Sequence, residues 1–167
     1  MTNQTRPAID CSANMGAFLY TIARSELPQP LVDCPAKGYN VVVGSTAKLP
    51  ILFSDYSDHP RKLIPFPKLG IKSTAAGRYQ IMAWVYDAYK ISLKLPDFFP
   101  KSQDLIALQL IRECKAVQDI EEGKINSAIA KCRSRWASLP GAGYGQHENQ
   151  ISALLTIYQG AGGALND

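Results

Sequence analysis

Apolar side chains recur at helical spacing in five separate stretches of this chain, whereas strand-like sequence is confined to one short patch. That contrast limits the fold more than any other feature. Met15, Phe18, Leu19 and Ile22 fall at i, i+3, i+4 and i+7, so a first helix leads to Arg24-Ser25-Glu26 and breaks before Pro28. Further helical patterns cover about 79–93 (Met82, Val85, Tyr86, Tyr89), about 102–114 with Ser102 as N-cap, and about 125–138 (Ile125, Ile129, Cys132, Trp136). The last covers about 147–159 (Ile151, Leu154, Leu155, Tyr158) and stops at Gly160. The strand-like patch is Tyr39 to Val43, a Gly44-Ser45 turn signal, and Ile51 to Phe53. Residues 54–78 are rich in Pro, Gly and Ser and read as loop. The expectation is an α+β fold in one domain over residues 1–167, with a small β-lobe at about 38–56 and a larger helical lobe at about 79–160.

Composition excludes several classes. At 46% hydrophobic and 19% charged, 167 residues can bury a sizeable core, so disorder is excluded. A net charge of +4 suits an acidic polymer as partner and suits plain solubility equally well. The N-terminal MTNQTRPAIDCSANMG lacks the apolar run of a signal peptide, and no stretch approaches the ~20 apolar residues of a membrane span. Cys11, Cys34, Cys114 and Cys132 lack CxxC spacing; Cys114 and Cys132 read as small buried hydrophobes, and thiols are expected for all four.

The chemistry-bearing residues gather in four places. FSDYSDHPRK, Phe53 to Lys62, packs two aspartates, a histidine and two aromatics into ten residues, as either a solvated loop or one wall of a polar cleft. Glu26 ends an apolar helix, where partial desolvation raises a carboxyl pKa and a helix C-terminus disfavours an anion; an ordinary exposed glutamate is the alternative. STAAGRYQI (Ser73 to Ile81) and LPGAGYGQ (Leu139 to Gln146) combine glycines, which allow close backbone approach, with Tyr and Gln, which offer stacking faces and amide hydrogen bonds. That mix suits a sugar, although each segment alone reads as a loop. His59 and His147 form no HExxH pair, and no GxSxG elbow, P-loop or dinucleotide fingerprint is present.

Together, SE at 25–26, GYNVVVG at 38–44, FSDYSDHPRKL at 53–63, KSTAAGRYQ at 72–80, PKSQDLIALQ at 100–109 and WASLPGAGYGQ at 136–146 resemble the lambda-type phage lytic transglycosylases in order and approximate spacing. The resemblance runs from about residue 14 to 163. It implies a lysozyme-like murein-degrading enzyme whose active cleft lies between the β-lobe and the helical lobe, with Glu26 as the catalytic acid. It also places Tyr79, Gln80 and Tyr144 in the cleft and makes FSDYSDHPRK its border, so Ser73, Asp55 and His59 join the candidate substrate-binding set. Two segments depart from the family pattern: Leu27-Pro28-Gln29-Pro30 replaces a glycine-led polar stretch, and Ser45 to Leu52 is a longer hairpin end.

The family's reaction is non-hydrolytic and uses mainly one carboxyl, which implies 1,6-anhydromuramic products. Asp55 and Asp58 are the candidates for a second carboxylate, with a loop role favoured for Asp58. A hydrolytic muramidase on the same fold and a wall-binding protein without catalysis are the competing readings, and Glu26 counts against the second of them. The implied partner is the peptidoglycan glycan strand, with no nucleic acid, cofactor or metal, and a monomer is expected. The implied location is the host cytoplasm until a separate holin opens the membrane, followed by action on the wall in the periplasm.

Overall fold

A computed structural model of the chain describes residues 5–143 and 148–166. Helix α1, Ala13–Glu26, is the central element: Ala17, Phe18, Leu19, Ile22 and Ala23 are fully covered. Ser12 caps it, its hydroxyl accepting from the Met15 N–H at 3.0 Å. The helix ends where the sequence predicts. Pro28 disfavours the helical region for the residue before it, and Leu27 is extended at φ −127°, ψ 145°. Leu27 is itself buried, with its side chain against Gly38, so the exit from α1 is held by packing.

The remaining elements are α2 (Gln29–Val32), β1 (Ile64–Phe66), a 3-10 turn at Pro67–Leu69, β2 (Ile71–Ser73), α3 (Ala83–Ser92), α4 (Pro100–Glu113), α5 (Val117–Glu121), α6 (Ile125–Cys132) and α7 (Ile151–Gly160). Helix α1 packs against α2, α4, α5 and α7. The covered apolar side chains of the helices and of the 39–53 segment form one cluster, from Met15 to Ala161. The arrangement is α+β as expected, mostly helical with a small two-stranded antiparallel sheet. No helix among the described residues is long and apolar enough to cross a membrane.

The sheet lies outside the expected 38–56 region. Strands β1 and β2 pair in register Ile64↔Ser73, Pro65↔Lys72 and Phe66↔Ile71, inside the stretch that reads as loop. Prolines are tolerated there because a two-stranded sheet consists only of edges, and Gly70 closes the connection at φ +64°. The Val41–Val43 segment forms only single bridges, Val41 to Leu52 and Val42 to Ala76. It runs between two neighbours, with the Val42 N–H donating to Ile51 and the Val43 N–H to Ala75, until Gly44 turns the chain away at φ +84°.

Helix boundaries also differ: α7 begins only at Ile151, after a non-helical 148–150, and not near 147. Helix α4 starts at Pro100, and Ser102 is not its cap; Asp97 accepts from the Phe99 N–H at 2.9 Å and from the Ser102 hydroxyl at 2.8 Å. Helix α6 stops at Cys132, leaving Trp136 buried in a turn where its indole N–H donates to the Tyr79 carbonyl at 3.2 Å. The 79–93 pattern becomes helical only at Ala83, whose N–H donates to Thr74 Oγ1. All four cysteines are free thiols; Cys132 is buried and Cys114 half-buried.

Beneath the loop that carries Tyr79 lies a polar core. Asp104, fully covered on α4, accepts from the hydroxyls of Tyr39 at 2.8 Å and Tyr79 at 2.6 Å, and from the backbone N–H of Ile9. The Arg78 guanidinium packs over the rings of Tyr20, Tyr39 and Tyr79 and donates to the Lys37 carbonyl. A buried carboxylate meets its hydrogen-bonding need this way without an exposed partner.

Candidate active site

Glu26 is the last residue of α1 and half-buried. Its Oε1 accepts from the Ser138 hydroxyl at 2.5 Å, and the Ser138 backbone N–H also bonds the carboxyl. Burial pushes its pKa up to about 7, against the pull of these two donors. Ser138 Oγ also lies 2.9 Å from Ser25 Oγ. Asn149, just ahead of α7, ties the assembly together: its side-chain amide donates to the carbonyls of Ser25 at 3.1 Å and Ser138 at 3.0 Å. A carboxyl with a pKa near 7 populates both protonation states at neutral pH, so it can give a proton and later take one.

The other predicted residues fall into three groups. Asp55, Asp58 and His59 line a cleft of about 680 Å³ together with Asn40, Leu52 and Phe53, so the FSDYSDHPRK segment does form the wall of a concavity. Glu26 is not in the walls of that cleft. Depth alone therefore does not locate the reacting group. The perturbed carboxyl is the better marker, because proton transfer needs a poised acid and not merely volume. Asp55 is exposed, and Ser57 lowers its pKa, first through its side chain and then through its N–H, which donates to the carboxylate at 2.8 Å. Asp58 is held to about 2, first by its hydrogen bond from Arg61, and it also pairs with Lys90 at 3.1 Å. Asp58 is thus tied to Arg61 of its own loop and to Lys90 of α3.

His59, Tyr79 and Gln80 differ from the expectation. His59 is buried at 3% exposure, its ring against Tyr86 and Phe98. Its Nδ1 accepts from the Arg61 N–H at 3.0 Å, which leaves the proton on Nε2 to donate to the Ile81 carbonyl at 2.9 Å. Burial lowers its pKa, so it stays neutral, with both nitrogens engaged inside the protein and none turned to a sugar. Tyr79 is a core residue: its ring is fully covered and its hydroxyl is on Asp104, so it offers no stacking face, although it backs a hollow of about 260 Å³ with Gln80 and Trp136. Gln80 is half-buried at φ +48°, and its amide folds back to the Gly77 carbonyl at 2.9 Å.

Ser73, at the end of β2, bonds Met82 Sδ at 3.4 Å and accepts from the Ala75 N–H; it lines a separate hollow of about 250 Å³ with Phe66 and Ile71. Tyr144 and His147 lie outside the described residues. No group of three or more His, Cys, Asp or Glu among the described residues is placed to hold a metal ion. Ser138 and Asn149 are absent from the sequence-based set. Ser138 lies within the WASLPGAGYGQ stretch that carries the resemblance, but nothing in its spacing singles it out, and Asn149 has no signal at all.

Comparison with known proteins gives the family and the fold. Residues 16–165 match the Endolysin family. The endolysin of Escherichia phage P2 is 47% identical, covering 94% of this chain and 98% of that protein. The endolysin of Escherichia phage lambda is 51% identical over 131 residues, 78% of each chain. Two solved structures of the lambda protein are similar throughout. Bacteriophage lambda lysozyme complexed with a chitohexasaccharide gives a TM-score of 0.86 at 45% identity, covering 95% of this chain and 99% of that one. Lysozyme from bacteriophage lambda gives 0.82 at 44% identity, with the same coverage. The fold is thus that of lambda lysozyme, and the chain belongs to the phage endolysin family of the lambda and P2 type.

Proposed function

We propose that this chain cleaves the bond between N-acetylmuramic acid and N-acetylglucosamine in peptidoglycan by intramolecular transglycosylation, lysing the host cell. The family supports the wall as substrate, and the lambda relative is solved with a chitohexasaccharide bound. In the first step the protonated Glu26 gives its proton to the glycosidic oxygen as the C1–O bond breaks, leaving an oxocarbenium-like muramic ring. In the second, the Glu26 carboxylate takes the proton of the muramic C6 hydroxyl, whose oxygen closes onto C1 as a 1,6-anhydro ring. Glu26 ends as it began, protonated, and no water is consumed.

The observation that carries this reading is that, among the described residues, no second carboxylate shares a hydrogen bond with Glu26 or shifts its pKa. Burial raises its pKa and Ser138 lowers it, and no neighbouring charge is among the causes of its shift. Hydrolytic glycosidases ordinarily place two carboxyls across the scissile bond. Asp58 is committed to Arg61 and Lys90. Hydrolysis is the second reading, and it rests on Asp55, whose exposed carboxylate in the 680 Å³ cleft could order a water. A reducing-end assay separates the two: purified murein should lose turbidity under the protein without a matching rise in reducing ends. A stoichiometric rise would favour hydrolysis.

A further inference from the structure

The Ser138 hydroxyl has one proton and two acceptors within reach, Glu26 Oε1 at 2.5 Å and Ser25 Oγ at 2.9 Å. Ser25 does not compete as a donor to Glu26, since its own hydroxyl proton goes to the Ile22 carbonyl at 2.8 Å. We propose that Ser138 is a positioning residue that gives the two oxygens of Glu26 different tasks: Oε1 receives the Ser138 hydroxyl, and Oε2 carries the transferable proton. This rests on Glu26 being the acid and base of the reaction.

The reason is donor crowding. A proton on Oε1 would face the hydroxyl hydrogen already aimed at that atom, whereas a carbonyl-like Oε1 accepts it. The proton is therefore kept on Oε2, which accepts no side-chain hydrogen bond among the described residues. When it leaves, negative charge spreads onto Oε1, where a charge-assisted hydrogen bond strengthens without movement of any heavy atom. The hydroxyl thus stays on Oε1 through both steps, the shorter of its two contacts.

Asn149 acts one contact further out. Its amide bridges the Ser25 and Ser138 carbonyls, and its backbone N–H donates to Ser138 again at 2.9 Å. Through Asn149 the last turn of α1 is joined to Ser138, which lies 112 residues beyond Glu26 in sequence.

The test is a titration of the Glu26 carboxyl carbon by NMR in glutamate-labelled protein, run beside pH–rate profiles on murein, for wild type, Ser138→Ala, Ser138→Thr and Asn149→Ala. Losing a hydrogen bond to the charged form should raise the Glu26 midpoint in Ser138→Ala by about one to two units, and move the alkaline limb of the rate profile upward with it. The maximal rate should fall about 10–100-fold, because the carboxylate formed in the first step is less stabilised. Ser138→Thr keeps the hydroxyl and should restore both. Asn149→Ala should move both in the same direction by less. Ser138→Cys, with a weaker donor of similar size, takes the place of the alanine variant should that one not fold.

A merely structural serine would lose rate and melting temperature while the Glu26 midpoint stayed within about 0.3 units. That result, or a lowered midpoint, overturns the proposal. The NMR midpoint reports on Ser138 whether or not the chain is a transglycosylase. Full activity in Glu26→Gln would instead overturn the functional reading and leave the titration result intact.

Discussion

Glu26→Gln is expected to reduce lysis of permeabilised Gram-negative cells by roughly 10³-fold, the scale of a lost general acid and base. The amide is close to the carboxyl in shape, and its carbonyl oxygen can still accept from Ser138, so the surroundings in the structure keep their contacts. What disappears is the transferable proton. Stability should not fall at neutral pH and above, and the direction of its change follows from the pKa. The folded-state value of Glu26 is raised from 4.5 to about 7, so the folded protein binds this proton more tightly than the unfolded chain. Stability from this group is therefore present at low pH and lost as pH rises through that interval. The glutamine variant has no such loss and should melt at or above the wild-type temperature at pH 8. Circular dichroism and a melting curve check the fold, and turbidity checks the rate. Residual activity above a few per cent would remove Glu26 from the mechanism.

The largest effect on stability is expected at Gly77. It sits at φ +79°, and a Cβ there would come within 2.1 Å of Gln103 Oε1. That amide cannot move aside freely. Gln103 is fully buried, its oxygen accepts from the Arg78 N–H at 2.9 Å, and its nitrogen donates to the carbonyls of Tyr39 and Phe98, both at 2.9 Å. Gly77→Ala therefore combines left-handed backbone strain with the loss of at least one buried hydrogen bond, together about 3–5 kcal/mol. For a chain of this size the melting temperature should drop by roughly 10 °C. A melt within about 2 °C of wild type would mean that the loop has room which the packing of Gln103 denies it. The glycine of GRYQ thus serves approach by a buried glutamine and not by a ligand.

The sequence was most legible where one local rule dominates. The apolar period of α1 and the proline two residues after Glu26 locate both the helix and its last residue, and the structure keeps both. Helix α7 and the buried faces of α4 and α6 follow from the same period. The hairpin was hidden because Pro65, Pro67 and Gly70 are punctuation in most contexts and become strand and turn residues only on an unpaired edge. Tyr79 and His59 look like site residues in sequence because both are polar-tipped rings in polar surroundings. Their partners are distant: Asp104 is 25 positions from Tyr79, and the Ile81 carbonyl is 22 from His59. Ser138 and Asn149 acquire meaning only when long-range packing brings them to the end of α1.

The proposal that one carboxyl suffices has a sharper test than any substitution. An intramolecular hydroxyl held against C1 can reach an effective concentration of ~10⁵ M or more, enough to exclude water as the competing nucleophile. Digesting murein in heavy-oxygen water and weighing the released muropeptides reads the nucleophile directly. Products ending in 1,6-anhydromuramic acid are expected, one water lighter than the corresponding hydrolysis products and free of the label. Reducing-end products carrying the heavy oxygen as the main species would contradict it and assign the attack to a water, with Asp55 the first residue to examine.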